Sequence, residues 1–376
     1  MKITHIHIER FRGFQNEDFE VGSLLTAIAG QNGTQKSTLL GIITQTFTLK
    51  TEDSMRVEKP LCGGSYISAF KDKFRLSPTF DKPKGHEWTI SFDAGMDDFT
   101  VESIKRTGDP NVRFWKKGAR QEGDGYISFP TIFLSLKRLV PVAEEAKIIT
   151  DDTLLTQEEL NEFKQLHNKI LIAQTPISSA TTITSKNKQS IGVSTELYDW
   201  NQNSMGQDNL GKIILALFSF KRLHDKYPRQ YKGGILAIDE MDATMYPASQ
   251  VELLKVLRKY ASKLNLQILF TTHSMSLLKA MDDLVQEVTK KEETANQAKI
   301  LYLKKVDDKI AIKQGVNFKG IQLDLNVVAE GNNRKKNRIT AYTEDKENIL
   351  FVKAILKSKA FVLDFVDVTL PCSTLM

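Results

Sequence analysis

A glycine-rich loop near the N-terminus limits what this chain can fold into more than any other feature. The run Gly-Gln-Asn-Gly-Thr-Gln-Lys-Ser-Thr occupies residues 30–38. An apolar, strand-like stretch at residues 24–29 precedes the loop, and a helix-like apolar stretch at residues 38–43 follows it. A strand, a glycine-rich turn and a helix in this order form the basic unit of α/β proteins. The loop therefore predicts an α/β fold.

The same loop nearly matches a phosphate-binding pattern of glycine, four residues, glycine, lysine, and serine or threonine. Gln35 stands where the second glycine belongs. In such loops backbone N–H groups and the helix N-terminus hold phosphates, the lysine contacts the terminal phosphates, and the hydroxyl binds Mg²⁺. Gln35 removes none of these groups, and we expect its side chain to point outward; a purely structural turn is the alternative. The predicted nucleotide-contacting residues are Gly30, Gln31, Asn32, Gly33, Thr34, Gln35, Lys36, Ser37 and Thr38.

Composition limits the class of protein further. The 376 residues are 41% hydrophobic and 26% charged, which is typical of a globular protein with one large domain and part of another. Since no apolar run of about 18 residues and no signal-peptide block occurs, we predict a cytoplasmic protein without membrane contact. The net charge of +6 is compatible with a DNA partner. The densest basic run, residues 334–338, is either a phosphate contact or a linker.

Hydrophobic periodicity outlines the remaining elements. Residues 2–10 alternate like a strand, and three strand-like stretches between residues 85 and 120 predict an antiparallel lobe. Residues 144–200 predict an insertion with a helix at 158–172 and an exposed loop at 175–190. The second half alternates helices and strands, which is typical of a parallel sheet. Further predicted elements are a strand at 131–136, helices at 210–223 and 251–264, strands at 235–238 and 267–270, and a hairpin at 299–313.

Three polar segments at the ends of predicted elements add a candidate site. Asp239 and Glu240 follow the buried strand at 235–238, where an aspartate can hold Mg²⁺ and a glutamate can polarise an attacking water. The segment Ser204–Gln207, which includes Gly206, precedes the long helix and can present a hydroxyl and N–H groups to an anion. His273 follows the strand at 267–270 and can contact a γ-phosphate. Taken singly, these segments have structural alternatives: a helix start, a helix cap and a buried histidine.

The order of these segments resembles the order in ABC-type ATPase heads. Residues 8–14, Ile-Glu-Arg-Phe-Arg-Gly-Phe, resemble the first strand and turn of RecF- and SMC-like ATPases. Residues 239–247 resemble the Asp-Glu…Leu-His-Pro segment of the overcoming-lysogenisation-defect (OLD) nuclease family and related phage-defence ATPases, with Tyr246 replacing the histidine. The resemblance covers residues 1–330. It implies an ABC-type P-loop ATPase head with an antiparallel β lobe and a helical insertion.

This resemblance also implies roles for the site residues. ATP and Mg²⁺ would lie between the loop of one copy and Ser204–Gln207 of another, in a head-to-head dimer or higher homo-oligomer. Arg12 would belong to the nucleotide-binding residues. No glutamine can be matched to the one that usually follows the first core strand, because Gln45 lies within the first predicted helix. The implied roles are Lys36 on the β- and γ-phosphates, Ser37 and Asp239 on Mg²⁺, Glu240 as catalytic base, and His273 as γ-phosphate sensor.

Residues 331–376 resemble the beginning of a Toprim domain. A strand at 339–343, an acidic residue, a helix at 349–358 and a strand at 361–370 follow one another. Glu344 matches the metal-binding or general-base glutamate of that fold, whereas Asn348 stands where an aspartate is frequent. The Asp-x-Asp pair that completes the metal site has no counterpart, so we expect a truncated Toprim-like domain. A short strand–helix cap is the alternative.

Together these resemblances predict an ATPase that controls DNA cleavage in antiviral, anti-phage defence, as in OLD-like nucleases. Nuclease activity itself stays open, because the Toprim metal site is incomplete. One alternative is an ATPase that regulates a separate nuclease, as in Septu-like systems or in retron-associated systems with a reverse transcriptase–nucleic acid complex. The other alternative is a RecF/SMC-like DNA repair ATPase that binds DNA without cutting it.

Overall fold

A computed structural model describes most of the chain in two compact units, Met1–Phe318 and Lys319–Met376. The described residues are 1–67, 70–93, 95–105, 112–119, 124–140, 148–151, 154–173, 175–185, 189–331, 339–343, 345–357, 360 and 363–369.

The larger unit contains sixteen strands and six α-helices among its described residues. The strands are β1 (Ile3–Phe11), β2 (Phe14–Glu20), β3 (Leu25–Gly30), β4 (Phe47–Thr48), β5 (Glu87–Phe92), β6 (Phe99–Lys105), β7 (Val112–Lys116), β8 (Ile127–Ser128), β9 (Thr131–Leu134), β10 (Ile149–Asp151), β11 (Ser179–Thr184), β12 (Gln189–Ser194), β13 (Gly234–Ile238), β14 (Leu266–Thr272), β15 (Ala298–Val306) and β16 (Lys309–Lys313). The helices are α1 (Lys36–Thr44), α2 (Phe70–Lys73), α3 (Gln157–Leu171), α4 (Met205–Lys226), α5 (Pro247–Lys263) and α6 (Met275–Thr289).

A six-stranded, largely parallel sheet forms the centre of this unit. Its strand order is β16-β15-β3-β14-β13-β9, and only the edge strand β16 runs antiparallel to its neighbour. Every residue of β3, β13 and β14 is buried, which explains their continuous apolar character. Because the parallel strands end at one edge, Gly30, Leu134, Ile238 and Thr272 bring their following loops together there. The predicted α/β fold is confirmed.

The second sheet is antiparallel, with the order β2-β1-β5-β6-β7. Its strand β5 alternates buried and half-buried residues, the pattern of a sheet with one face on a core. The three strands predicted between residues 85 and 120 are therefore confirmed. The sheet is larger than expected because β1 and β2 extend it. In β1, the side chains of Ile6 and Ile8 are fully buried.

The insertion after β9 differs from its prediction. Helix α3 is present and begins with a capping box between Thr156 and Glu159. The exposed loop predicted at 175–190 is wrong, since β11 pairs with both β10 and β12 in a three-stranded antiparallel sheet. The physical reason is that β-branched residues are frequent in these strands, and Ile183 and Ile191 are buried.

The smaller unit contains all but the first residue of α7 (Phe318–Gly331), followed by β17 (Ile339–Thr343), α8 (Lys346–Leu356) and β18 (Leu363–Thr369). Strands β17 and β18 pair in parallel, so the predicted strand–helix–strand order is present. Glu344 and the basic run at 334–338 lie outside the described residues. The assignment of this unit to the start of a Toprim domain stays a prediction.

Candidate nucleotide-binding site

The loop between β3 and α1 closes around the ammonium group of its own lysine. Lys36 is only 8% exposed, and its Nζ donates hydrogen bonds to the carbonyl oxygens of Gly30 at 3.1 Å and Gln31 at 2.9 Å. Gly30 has a φ of +153°, and a Cβ added there would lie 2.4 Å from the Leu303 carbonyl oxygen. Glycine is therefore required at this position by both space and backbone conformation.

Gln35 adopts the left-handed conformation that the missing glycine would favour, with φ 61° and ψ 32°. This conformation costs a residue with a Cβ about 1–2 kcal/mol. The side chain points towards the turn between β1 and β2, where a Cβ on Gly13 would lie 2.9 Å from Gln35 Nε2. Within the described part of the chain, the buried Gln35 Oε1 has no hydrogen-bond partner. The expected outward orientation is wrong, because Gly13 leaves room for the amide inside the fold.

The first residue of α1 after the lysine meets the end of β13. Ser37 Oγ donates to Asp239 Oδ1 at 2.9 Å, and Thr271 Oγ1 donates to the same oxygen at 2.7 Å. Burial lowers the pKa of Lys36, and the negative charges of Glu240 and Asp239 partly offset this effect. The structure thus brings Lys36, Ser37, Asp239 and Glu240 into one site.

The donor groups fit a magnesium ion. A hydroxyl and a carboxylate are hard oxygen ligands, and Mg²⁺ usually needs only one or two protein ligands beside phosphate and water. Within the described ranges, no group of three or more His, Cys, Asp or Glu side chains could hold a metal ion.

Two hydrogen bonds hold Glu240 in a strained conformation. Its φ is +49°, in the left-handed region that non-glycine residues rarely adopt. The Glu240 N–H donates to Thr271 Oγ1 at 2.6 Å, and its carbonyl oxygen accepts from Arg138 Nη2 at 2.8 Å. Strain that neighbouring groups maintain in this way is typical of functional sites.

Arg138 is the main site residue that sequence reasoning missed. Arg138 lies in the short 3₁₀ helix Leu136–Leu139 that follows β9, and it is 2% exposed. Its Nε donates a hydrogen bond to Asn209 Oδ1 at 2.7 Å. Burial lowers its pKa to about 10, although the charges of Asp239 and Glu240 oppose this, so the guanidinium stays charged at neutral pH. An arginine directly after a buried strand was the available signal. The contact with Asn209 had no sequence signal.

The glutamine that usually follows the first core strand of ABC-type heads has no match after β9, the strand beside β13. β9 is followed by Ser135, Leu136, Lys137 and Arg138, and none of these is glutamine. Gln45 is buried at the C-terminal end of α1. The loop after β9 therefore offers Arg138, which contacts the acidic loop between β13 and α5 (residues 239–246), and no glutamine amide.

Ser204–Gln207 forms the helix cap that was considered as the structural alternative. Ser204 Oγ accepts from the Gln207 N–H at 3.3 Å, and Gln207 Oε1 accepts from the Ser204 N–H at 2.9 Å. A Cβ on Gly206 would lie 2.5 Å from the Thr244 carbonyl oxygen, so only glycine fits. No hydrogen bond between described residues joins this segment to residues 30–37. The structure places the segment against the acidic loop instead.

His273 follows β14 and faces the same site. Its N–H donates to Asp242 Oδ1 at 3.4 Å. Partial desolvation and the positive charge of Lys36 lower the pKa of His273, and the nearby acids oppose this shift. The imidazole is therefore mainly neutral near pH 7.

Arg12 approaches the other side of α1 from the turn between β1 and β2. Its Nη1 lies 3.4 Å from Thr38 Oγ1, and its Nε and Nη2 each pair with an Asp81 oxygen at 3.0 Å. Burial raises the pKa of Asp81, but hydrogen bonds from Arg12, Ser77 and His86 outweigh this and lower it to about 2. Arg12 is thus fixed beside the first turn of α1.

Comparisons with known proteins identify similarity to an ATPase domain in part of the chain. Residues 135–278 match a family model described as an AAA ATPase domain; the match includes Asp239, Glu240 and His273 but not loop 30–38. An ATPase domain implies that the chain binds ATP. No curated protein matches the chain. None of the described helices is long and apolar enough to cross a membrane.

Heads of SMC proteins are among the solved structures that match. An SmcHead bound to the C-winged helix domain of ScpA is 13% identical with a TM-score of 0.50, and the match covers 86% of this chain and 100% of that one. The SMC head domain from Thermotoga maritima is 14% identical with a TM-score of 0.46, over 84% and 100% of the two chains. At 13% identity the likeness to the ScpA-bound SmcHead shows the fold alone, which is similar to that of an SMC head.

Proposed function

We propose that this chain hydrolyses ATP at the loop of residues 30–38. The observation that carries the proposal is the 2.9 Å hydrogen bond between Ser37 and Asp239, which are 202 residues apart in the chain. In P-loop ATPases, Mg²⁺ is held by a hydroxyl of the phosphate-binding loop and by an aspartate at the end of a neighbouring strand, and this hydrogen bond joins those two groups. The match of residues 135–278 to an ATPase domain supports the same activity independently, since it does not include the loop.

Each residue of the site has a distinct proposed role. Lys36 leaves its two loop carbonyls and contacts the β- and γ-phosphates, which are stronger, charged acceptors. When bound by Ser37 and Asp239, Mg²⁺ would neutralise phosphate charge. Glu240, held by Arg138 and Thr271, orients and deprotonates the attacking water. Neutral His273 donates a hydrogen bond to the γ-phosphate.

We further propose that two copies share the nucleotide. Ser204–Gln207 begins a 22-residue helix, whose N-terminus favours an anion. By resemblance to ABC-type ATPase heads, the anion at this segment would be the nucleotide bound by loop 30–38 of a second copy. Gly206 packs on Thr244, so the segment is coupled to the acidic loop of its own chain.

The biological role rests on resemblance. The likeness of residues 239–247 to OLD nucleases supports control of DNA cleavage in phage defence, with residues 331–376 as part of a Toprim-like domain. In a variant of this role, the chain is an ATPase that regulates a nuclease in a separate chain, as in retron-associated or Septu-like systems. The SMC-type fold favours a second candidate, a DNA repair ATPase that binds DNA without cleavage.

Glu240→Gln tests the proposal. The substitution removes the base and leaves Ser37 and Asp239, so ATP turnover should fall about 10²–10⁴-fold while ATP binding persists. ATP-bound dimers should accumulate and be visible by sedimentation velocity. Glu293→Gln, at an exposed glutamate, is the control. If Glu240→Gln hydrolyses ATP at the wild-type rate, Glu240 is not the base.

A further inference from the structure

A cleft of about 650 Å³ opens beside the turn between β1 and β2, and its lining residue Arg12 connects it to Thr38 in the first turn of α1. Its lining includes Arg10, Arg12, Arg75, Gln15 and Phe80. Arg12 is paired with Asp81, and Arg10 is paired with Glu87. Arg75 therefore supplies the remaining positive charge of the cleft. A volume of this size is typical of small-molecule sites.

Two neighbouring residues in the first turn of α1 indicate how a triphosphate would be oriented in the site. Ser37 faces Asp239 at the end of β13, whereas the next residue, Thr38, faces Arg12 at 3.4 Å. If the terminal phosphates lie between Lys36, Ser37 and the acids, the opposite end of the triphosphate points towards Arg12. The α-phosphate and the nucleoside would therefore leave the loop at the mouth of this cleft.

Arg12 is built to hold a phosphate there. The buried pair of Asp81 and His86 fixes it, since Asp81 Oδ1 also lies 3.0 Å from His86 Nε2 and both side chains are 2% exposed. Arg12 Nη2 also donates to the Arg75 carbonyl oxygen at 2.7 Å. Four of the five N–H groups of this guanidinium donate to Asp81, Arg75 and Thr38, so a phosphate would take the second Nη1 N–H and could replace Thr38 on the first. The fixed fork loses little entropy when it binds.

Phe80 offers a surface for a base. Its side chain is 85% exposed although it lines the cleft, and no aromatic ring of the described residues stacks on it. Exposed aromatic rings beside arginines are the combination that binds a base together with its phosphate. Stacking on such a ring commonly changes affinity by about tenfold or more.

We propose that this cleft binds the nucleoside half of the nucleotide, with Phe80 stacked on the base and Arg12 on the α-phosphate. The proposal deepens the proposed ATPase function and rests on it. It makes Phe80 a determinant of nucleotide affinity, in a segment between α2 and β5 that carries no recognised motif.

The test compares ATP with inorganic tripolyphosphate, which has the phosphates but no nucleoside. Calorimetry on Phe80→Ala should show ATP–Mg²⁺ affinity reduced about tenfold or more and tripolyphosphate affinity unchanged. Leu197→Ala is the matched control, because Leu197 is an apolar side chain with similar exposure, 79%. Phe80→Trp should restore ATP affinity, and its indole fluorescence should be quenched by ATP but not by tripolyphosphate.

Three results would overturn the proposal. Phe80→Ala could bind ATP as tightly as the wild type, or it could lose tripolyphosphate and ATP equally. Alternatively, Phe80→Ala could weaken binding of a fluorescein-labelled oligo(dT) while ATP affinity stays unchanged, which would assign the cleft to a nucleic acid strand. If the wild type binds neither ATP nor tripolyphosphate, the proposed ATPase function fails together with this inference.

Discussion

Gln35 occupies a backbone conformation that suits glycine better than glutamine. Its left-handed φ of 61° is unfavourable for a residue with a Cβ, and its side-chain oxygen is buried without a partner among the described residues. The backbone strain and the buried oxygen both reduce the stabilisation that the side chain provides by packing beside Gly13. The loop therefore keeps its shape at a cost in stability.

Replacing Gln35 with glycine should raise the free energy of unfolding by about 1 kcal/mol, since the left-handed strain disappears. ATP affinity should stay within about tenfold of the wild type. Urea unfolding and ATP titration measure the two effects. Gln31→Gly is the control in the same loop: it relieves no left-handed strain and should not stabilise. A destabilised Gln35→Gly, or one that loses ATP, would show that the glutamine side chain is needed for packing or binding.

A site residue could be predicted from the sequence only where it belongs to a short local pattern. Lys36, Ser37 and Asp239 belong to short patterns with a defined strand or helix beside them, and the structure brings them together. Arg138 reaches a carbonyl oxygen 102 residues away, and no local pattern encodes that distance. Phe80 could not be found either, because an isolated phenylalanine in a sequence predicts burial.

At the scale of elements, Arg138 connects the turn after β9, helix α4 and the acidic loop after β13. Its guanidinium bonds to the Leu134 and Ser135 carbonyl oxygens, to Asn209 and to Glu240. Arg138→Met keeps much of the volume but leaves these buried acceptors without donors. We expect the free energy of unfolding to fall by about 2–4 kcal/mol and ATP turnover to fall more than ATP affinity.

Chemical denaturation and steady-state kinetics check this prediction. Arg229→Met is the matched control, since Arg229 is exposed and such changes usually stay within about 0.5 kcal/mol. Equal stability and turnover in Arg138→Met and the wild type would show that the arginine does not position Glu240.

Helix α3 carries a buried histidine that should make stability depend on pH. Burial lowers the pKa of His167 to about 4, and both ring nitrogens lack a hydrogen-bond partner within the described residues. The unfolded chain takes up the proton near pH 6.5 and the folded chain only near pH 4. Stability is therefore full above about pH 6.5 and falls as the pH decreases through this window.

Between pH 7 and pH 5 the histidine should lower the free energy of unfolding by about 2 kcal/mol. His167→Leu removes this contribution, so the variant should lose less stability than the wild type over the same range. Urea midpoints at several pH values provide the measurement. The control is His224→Asn, at a histidine near the end of α4. Parallel pH profiles for His167→Leu and the wild type would contradict the prediction.

Elements were predictable where hydrophobicity has a clear period. The buried strands β13 and β14 and helices α4 and α5 follow their apolar runs within a few residues. β11 and β12 were missed because serine, threonine and lysine dominate residues 175–190, and only pairing with each other and with β10 makes them strands. Tertiary packing overrides composition in that segment.

At the scale of the whole molecule, the sheet order determines what can meet. β3, β14, β13 and β9 are neighbours, so the phosphate loop, His273, the acidic loop and Arg138 lie along one edge. The α/β class could be predicted from alternating helices and strands. The sharing of the antiparallel sheet between β1–β2 and β5–β7 could not, because it pairs β1 with β5, whose partner residues are about 80 positions apart in the chain.

ATP binding at loop 30–38 is the central claim, and one calorimetric titration tests it most directly. Wild-type protein should bind ATP–Mg²⁺ with a Kd in the micromolar range, which corresponds to about −8 kcal/mol. Lys36→Ala removes the ammonium group at the centre of the loop and should weaken binding at least about 100-fold, with an unchanged circular dichroism spectrum. A folded wild-type protein that binds no ATP, or a Lys36→Ala variant that binds it equally well, would contradict the claim.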